Sequence, residues 1–173
     1  MTYRPATSLI QGLLAFAGFC DAGFVYVEKT RSGDVPCING STDCTTVTMG
    51  PYGYVDFNFW IGSLHVHPSL DLSQVGIAAY VVFAFLAIVK GTAANERLAA
   101  ASRWLFFALA LFGVCYSWYL QWLAHYTIHA FCIYCRISAC IMTLLFALSA
   151  YELFASARKL SVSAPPGDID PSI

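Results

Sequence analysis

The chain has 173 residues, of which 58% are hydrophobic and only 11% are charged. Soluble domains carry about 25% charged residues, so this composition is typical of a membrane protein. The 9 basic and 10 acidic residues nearly cancel. No basic cluster occurs, which excludes nucleic acid as a partner.

Four apolar segments are long enough to cross a membrane as helices, for which about 20 residues are needed. They cover approximately residues 9–27, 72–89, 104–123 and 131–154. The alternative for the first segment is a cleaved signal peptide, but the segment lacks a strongly basic start and is long for a signal core, so we predict that it is retained. We predict an all-α membrane protein, a four-transmembrane-helix bundle formed as one domain over residues 1–160.

The first two segments are separated by a large polar loop, residues 28–70, with several turn signals. Within this loop the aromatic stretch from Tyr54 to Leu64 favours a short helix or turn lying in the membrane interface. The last residues, 161–173, contain Pro-Pro-Gly and acidic side chains. They are expected to form a disordered tail on the cytoplasmic side.

Basic residues orient the bundle, because they are enriched on the cytoplasmic side of membrane proteins. Lys29 and Arg31 fall on one side, and six basic residues fall on the other: Arg4, Lys90, Arg97, Arg103, Arg158 and Lys159. Both termini are therefore predicted to be cytoplasmic in a multi-pass membrane protein, which in a bacterium would be a protein of the inner membrane. The large loop and the start of the fourth helix would face the oxidising periplasm.

A C-x-x-C motif, Cys132 to Cys135, begins the fourth segment. Cysteines at a helix N-terminus have lowered pKa values, and the thiolate is the form that attacks disulfides. Arg136 is expected to strengthen this effect. The alternative is that the motif supplies two ligands of a zinc site, which would require two further thiolates or imidazoles.

Cys37 and Cys44, in the outer loop, are close enough in sequence to close a small disulfide ring. Such a ring alone would indicate a structural link, but two cysteine pairs on one side of a membrane can exchange electrons through a mixed disulfide. The remaining cysteines, Cys20, Cys115 and Cys140, lie inside predicted spans and are interpreted as packing residues.

Electrons that reach a dithiol at membrane level need an acceptor, and a quinone meets this requirement because it dissolves in the bilayer and takes two electrons and two protons.

Two other function classes compete with a quinone-dependent oxidase: a metal-handling membrane protein and a structural protein with a loop disulfide. His65, His67, His125 and His129 invite the metal reading. Asp21 should face the bundle or the outer interface, with a proton relay as the alternative to a simple hydrogen bond.

The run from His129 to Ala139, which includes Cys132 and Cys135, resembles the bacterial vitamin K epoxide reductase family. The loop segment Val35-Pro36-Cys37 and the later Asp43-Cys44-Thr45-Thr46-Val47 resemble the paired loop cysteines of this family. Gly76-Ile77-Ala78-Ala79-Tyr80 looks like the opening of its second helix. The resemblance covers roughly residues 9–154.

This resemblance implies a quinone inside a four-helix core and a thioredoxin-like periplasmic protein as electron donor, which we expect to be a separate chain. It implies that Cys37 exchanges with the partner, Cys44 attacks Cys132, and Cys135 passes electrons to ubiquinone or menaquinone. Bacterial relatives of this kind support disulfide formation. One departure is Gly50, which stands where the family commonly has serine.

Overall fold

Four long helices and a small outer layer make up the protein. The computed structural model describes residues 3–37, 43–56, 59–61, 64–66 and 69–163. The helices are α1 (Tyr3–Ser32), α2 (Asp43–Met49), α3 (Leu72–Thr92), α4 (Glu96–Leu123) and α5 (Ile133–Ser163). The strands are β1 (Tyr54–Asp56), β2 (Phe59–Ile61), β3 (Leu64–Val66) and β4 (Ser69–Asp71). All four predicted spans are helices long and apolar enough to cross a membrane, which confirms the predicted fold class.

The four long helices form a closed bundle in which α1 and α4 each pack against α3 and α5. Close approach of α1 and α3 depends on Gly18, because a Cβ atom there would lie 2.2 Å from the Tyr80 ring. Small residues at helix contacts are typical of membrane bundles, where they let backbones approach closely. The core combines such small residues with large rings: Ala15, Ala22, Tyr80, Phe83, Leu86, Ala87, Phe106, Ala110, Ile141, Met142 and Leu145.

Most of each apolar span faces outward, since only 22% to 33% of its most apolar 18-residue stretch is buried inside the protein. Cys20, Cys115 and Cys140 lie on this exposed surface. The three thiols therefore do not pack in the core of the bundle, which differs from their interpretation as packing residues. Lipid tails are as apolar as a protein core, so a small hydrophobic thiol is equally tolerated on the outer face of a membrane helix.

Helix ends in the bundle are marked by capping residues. The Asp71 side chain accepts the backbone N–H of Ser73 at the start of α3, and Asn95 accepts that of Arg97 at the start of α4. These caps satisfy N–H groups that a helix leaves unpaired. At the other end of α4, a π-helical turn (Ala124–Ile128) leads to His129 in the left-handed conformation, and the chain reverses into α5.

The outer layer consists of α2, a 3-10 turn at Pro51–Gly53 and two antiparallel strand pairs, β1 with β4 and β2 with β3. The short helix expected in this layer is present but lies at Asp43–Met49. The aromatic stretch where it was expected forms β1, β2 and the start of β3 instead. Aromatic and β-branched side chains favour strands, which explains the difference. From residue 164 onward, the expected disordered tail lies outside the described residues.

A buried polar cluster joins three helices at the end of the bundle that lies away from the outer layer. Lys90 of α3 forms a 2.6 Å ion pair with Glu152 of α5 and a hydrogen bond with Gln11 of α1. The start of α1 therefore lies beside the ends of α3 and α5.

Arg136 changes the count of basic residues at the two ends of the bundle. It lies in the first turn of α5, at the end that carries the outer layer, so the count becomes six against three.

Candidate active site formed by two cysteine pairs

The loop cysteines Cys37 and Cys44 form a disulfide with a Cα–Cα distance of 5.6 Å. Cys44 lies in the first turn of α2, and its backbone N–H donates to Cys37 Sγ over 3.1 Å. Thr45 fixes the segment that carries Cys37, because its hydroxyl oxygen accepts the Val35 N–H at 2.9 Å. Hydrogen bonds from the backbone N–H groups of Val35 and Cys44 thus hold the disulfide ring against the first turn of α2.

Cys132 occupies the position just before α5, where serine or threonine caps are usual. Its carbonyl accepts the N–H of Arg136 at 3.2 Å, the first turn of the helix. Its Sγ accepts the backbone N–H of Cys135 at 3.4 Å. The sulfur therefore acts as a helix cap, and a negative charge on it faces the positive end of the helix dipole.

Hydrogen bonds to Cys132 favour its thiolate. The Cys135 thiol donates to it, and this contact, with the backbone N–H groups of Cys135 and Tyr134, lowers the pKa of Cys132 below its usual range. Burial and the charge of Asp21 act in the opposite direction. The Arg136 guanidinium lies 4.6 Å from the centre of the Phe131 ring. The lowered pKa therefore comes from hydrogen bonds, and the expected contribution of Arg136 is not needed to explain it.

The two cysteine pairs meet in one buried cluster. Cys37, Cys44 and Cys132 are 7%, 0% and 2% exposed and share this cluster with Val25 and Val35, while Cys135 packs at its edge. Tyr134 links the two halves, since its hydroxyl donates to the Pro36 carbonyl at 3.0 Å. A bridged pair and a free pair thus lie side by side at the outer end of the bundle.

Two adjacent cysteine pairs on a four-span bundle are the arrangement expected for the family suggested by the sequence. The model of the vitamin K epoxide reductase family matches residues 9–150. The chain belongs to this family. Members are membrane thiol–disulfide oxidoreductases that use quinones. No curated protein matches the chain.

Gly50 departs from the common serine of the vitamin K epoxide reductase family for a steric reason. A Cβ atom at this position would lie 2.7 Å from the Thr46 carbonyl oxygen of α2. This distance is too short for any side chain unless the backbone moves. The end of α2 is therefore packed more tightly here than a serine would permit.

Asp21 of α1 is half-buried, one turn before Val25 of the cysteine cluster. Its charge acts on Cys132, as expected for an acid that faces the bundle. Among the described residues, no group of three or more histidine, cysteine or acidic side chains is placed to hold a metal. His125 instead lines a groove of about 400 Å³ between α4 and α5, together with Phe131 and Arg136. The side chains of His65 and His67 lie outside the described part of the chain.

Sequence reasoning missed two features near the cysteines. Tyr80, which is 1% exposed, forms a 2.6 Å hydroxyl–hydroxyl hydrogen bond with Ser138, one turn along α5 from Cys135. Lys29, counted only as an outer charge, is buried between α1, α2 and the start of α3. A lysine near the end of a span usually extends to water, so no local pattern distinguishes a buried one.

Proposed function

We propose that this vitamin K epoxide reductase family member reoxidises a separate thioredoxin-like protein of the periplasm and so supports disulfide formation in other proteins. The observation that carries the proposal is the burial of Cys44 and Cys132 in one cluster, which brings the loop disulfide next to a cysteine whose thiolate is stabilised. A purely structural loop disulfide would not need a second, free cysteine pair beside it.

The electron path follows from sulfur exchange. A partner thiolate attacks Cys37, the Cys37–Cys44 bond breaks, and Cys44 leaves as a thiolate. The second partner thiol then releases the oxidised partner and leaves Cys37 reduced. Cys44 attacks Cys132 in the Cys132–Cys135 disulfide, and Cys135 leaves as a thiolate.

Attack by Cys37 on Cys44 closes the loop disulfide again and releases Cys132. The arrangement in the structure, a bridged loop pair beside a free C-x-x-C pair, corresponds to this stage. The Cys132–Cys135 dithiol then holds two electrons and two protons. Cys44 is fully buried with Cys132, whereas Cys135 is at the edge of the cluster, which supports the order in which Cys132 receives electrons and Cys135 gives them up.

The residues near Cys135 suit a quinone of the ubiquinone or menaquinone class, which when bound would accept the two electrons and two protons. The core beyond the cysteines is apolar and aromatic. The hydroxyl groups of Tyr80 and Ser138 are the polar groups one turn from Cys135, and they would hold a carbonyl oxygen by hydrogen bonding. Asp21, half-buried near Cys132, is the acid placed to share a proton with the cysteine pair.

The test uses purified protein in detergent under anaerobic conditions. Quinone absorbance is followed after addition of a reduced thioredoxin-like partner, with Cys132→Ser as the control. Wild type should reduce quinone, and the control should not. If neither protein reduces any quinone with any partner, the oxidase assignment fails, and metal content should be measured on the same sample.

The order of the relay is tested separately by Cys135→Ala. This change removes the internal thiol that competes for Cys132, so a Cys44–Cys132 disulfide should accumulate and be identified by peptide mass spectrometry. If only the Cys37–Cys44 disulfide is found, the proposed order is wrong.

A further inference from the structure

Lys29 is a buried cation at the outer end of α1. The residue is 7% exposed, and its ammonium group has three partners on three different segments. It donates to the Thr48 carbonyl of α2 at 2.8 Å and forms a 2.7 Å ion pair with Asp71 at the start of α3. It also lies 4.1 Å from the centre of the Tyr54 ring of β1.

These contacts fix the helix that carries Cys44. Thr48 lies one turn after Cys44, and its hydroxyl donates to the Cys44 carbonyl at 2.8 Å. The Lys29 ammonium group therefore binds α2 one helical turn away from Cys44. Because α2 has only 7 residues, holding one of its ends fixes the orientation of the whole helix relative to α1 and α3.

Burial of the Lys29 ammonium group costs free energy of folding. A buried ammonium group loses its hydration, and a well-packed apolar residue often stabilises a protein as well as a buried ion pair does. An ion pair with hydrogen bonds, however, fixes distance and direction in a way that apolar packing does not. Arg31, two residues later in the same helix, is exposed and has no ion pair in the described part of the chain.

We propose that Lys29 is a positioning residue for the sulfur relay, which holds α2 so that Cys44 remains next to Cys132. The inference rests on the proposed function, because it concerns the exchange between those two sulfurs. Lys29 acts through its contacts with Thr48 and Asp71 and not through contact with a cysteine. Its removal should slow the Cys44–Cys132 exchange and leave the step from the Cys132–Cys135 dithiol to quinone unchanged.

The first test separates these two steps with Lys29→Met in the full chain. In single turnover, protein is reduced chemically, the reductant is removed, and quinone is added, so that only the Cys132–Cys135 step is followed. In steady state, a reduced thioredoxin-like partner drives the whole relay. A sulfur displaced by about 1 Å can react up to about 100-fold more slowly, so we expect the steady-state rate to fall at least about tenfold.

The single-turnover rate of Lys29→Met should stay within about twofold of wild type. Arg31→Met, which removes a charge from the same helix end, should change neither rate. An equal loss in both assays, or no loss in either, would overturn the positioning role. If wild type itself fails to reduce quinone, the proposed function fails, and the second test alone decides the role of Lys29.

The second test does not depend on quinone. In the Cys135→Ala background, Cys132 attacks Cys44, the Cys44–Cys132 bond forms, and Cys37 leaves as a thiolate. Adding Lys29→Met should slow the appearance of this disulfide at least about tenfold, whereas adding Arg31→Met should not. If Lys29→Met does not fold, Asp71→Asn replaces it, because it removes the paired charge but retains an oxygen for the Ser73 N–H. Unchanged trapping in the folded variant would refute the proposal.

Discussion

One sulfur of the C-x-x-C pair is placed as a helix cap. Cys132 precedes α5, and its Sγ accepts hydrogen bonds from both the backbone N–H and the thiol of Cys135. The motif alone predicts a lowered pKa from the helix end. The structure adds that the Cys135 thiol, which donates a hydrogen bond to the Cys132 sulfur, also lowers the pKa of Cys132.

The hydrogen bond from the Cys135 thiol to Cys132 leads to a prediction for variants of Cys135. Cys135→Ala removes the donor to Cys132, whereas Cys135→Ser retains a donor of similar size. A hydrogen bond to a charged group contributes about 1.5 kcal/mol or more, which corresponds to about one pH unit. We expect the pKa of Cys132 to be higher in the alanine variant than in the serine variant by about that amount, so that its thiolate appears at higher pH.

The measurement is the rate of alkylation of Cys132 as a function of pH, in a background where Cys37 and Cys44 are both replaced by alanine. That background prevents exchange with the loop. Identical midpoints for the two Cys135 variants would show that the helix end, rather than the thiol, controls the pKa.

Gly50 gives a second prediction for a single residue. Gly50→Ser restores the residue common in the family, but its Cβ would meet the Thr46 carbonyl oxygen at 2.7 Å. Overpacking of this kind costs about 1–3 kcal/mol, and here the backbone must yield. We expect reduced stability in thermal unfolding of the purified protein.

Gly23→Ser is the matched control for this prediction, because a Cβ at position 23 would meet no atom within 4 Å apart from the neighbouring backbone of its own helix. It should unfold close to wild type. Equal stability of the Gly50 and Gly23 variants would show that the loop adjusts to a serine without cost.

Among the secondary-structure elements, the long helices could be predicted and the short outer elements could not. The four spans were evident because each is a continuous apolar run longer than a bilayer requires. β1 and β2 have only 3 residues each, too few for a periodic pattern to be recognised. The pairing of β1 also depends on a partner strand distant in sequence, as between Tyr54 and Asp71.

The contacts between helices lead to a prediction at the end of the bundle opposite the cysteines. Lys90 and Glu152 are 3% and 14% exposed in their side chains and join α3 to α5. Removal of one member leaves a buried charge without its partner, which costs about 3–5 kcal/mol. Glu152→Ala should therefore destabilise the protein strongly in thermal or detergent unfolding. The proposed relay at the other end should remain active in the fraction of the protein that is folded.

The double variant Lys90→Met/Glu152→Met should regain most of this loss, because two apolar side chains of similar length replace the pair. Arg97→Gln removes an exposed charge at the same end and should change stability by less than about 0.5 kcal/mol. If Glu152→Ala is as stable as Arg97→Gln, the ion pair does not join the helices energetically.

For the whole molecule, the sequence identified the four cysteines that the structure brings together, although Cys37 and Cys132 are separated by 95 positions. Positive charges and helix count placed them on one side, and the family resemblance suggested their order. The buried position of Lys29 was not predictable, because it depends on Thr48 and Asp71 folding back onto α1. Likewise, no pattern in one helix indicates whether a cysteine such as Cys140 faces lipid or core.

The orientation of the whole bundle supports a final prediction. Basic residues remain more numerous at the end that holds the Lys90–Glu152 pair, even with Arg136 counted at the outer end, so that end should be cytoplasmic. The variant Ala94→Cys places a thiol in the turn between α3 and α4, and Thr127→Cys places one in the turn between α4 and α5; both positions are exposed.

Each variant is made in a chain in which Cys20, Cys115 and Cys140 are replaced by serine, and intact bacteria are treated with a membrane-impermeant maleimide. Labelling of the parent chain is subtracted as the background. Thr127→Cys should react at once, and Ala94→Cys only after the cells are permeabilised. The reverse pattern would place the four cysteines of the proposed relay on the reducing side of the membrane, where a stable Cys37–Cys44 disulfide is not expected.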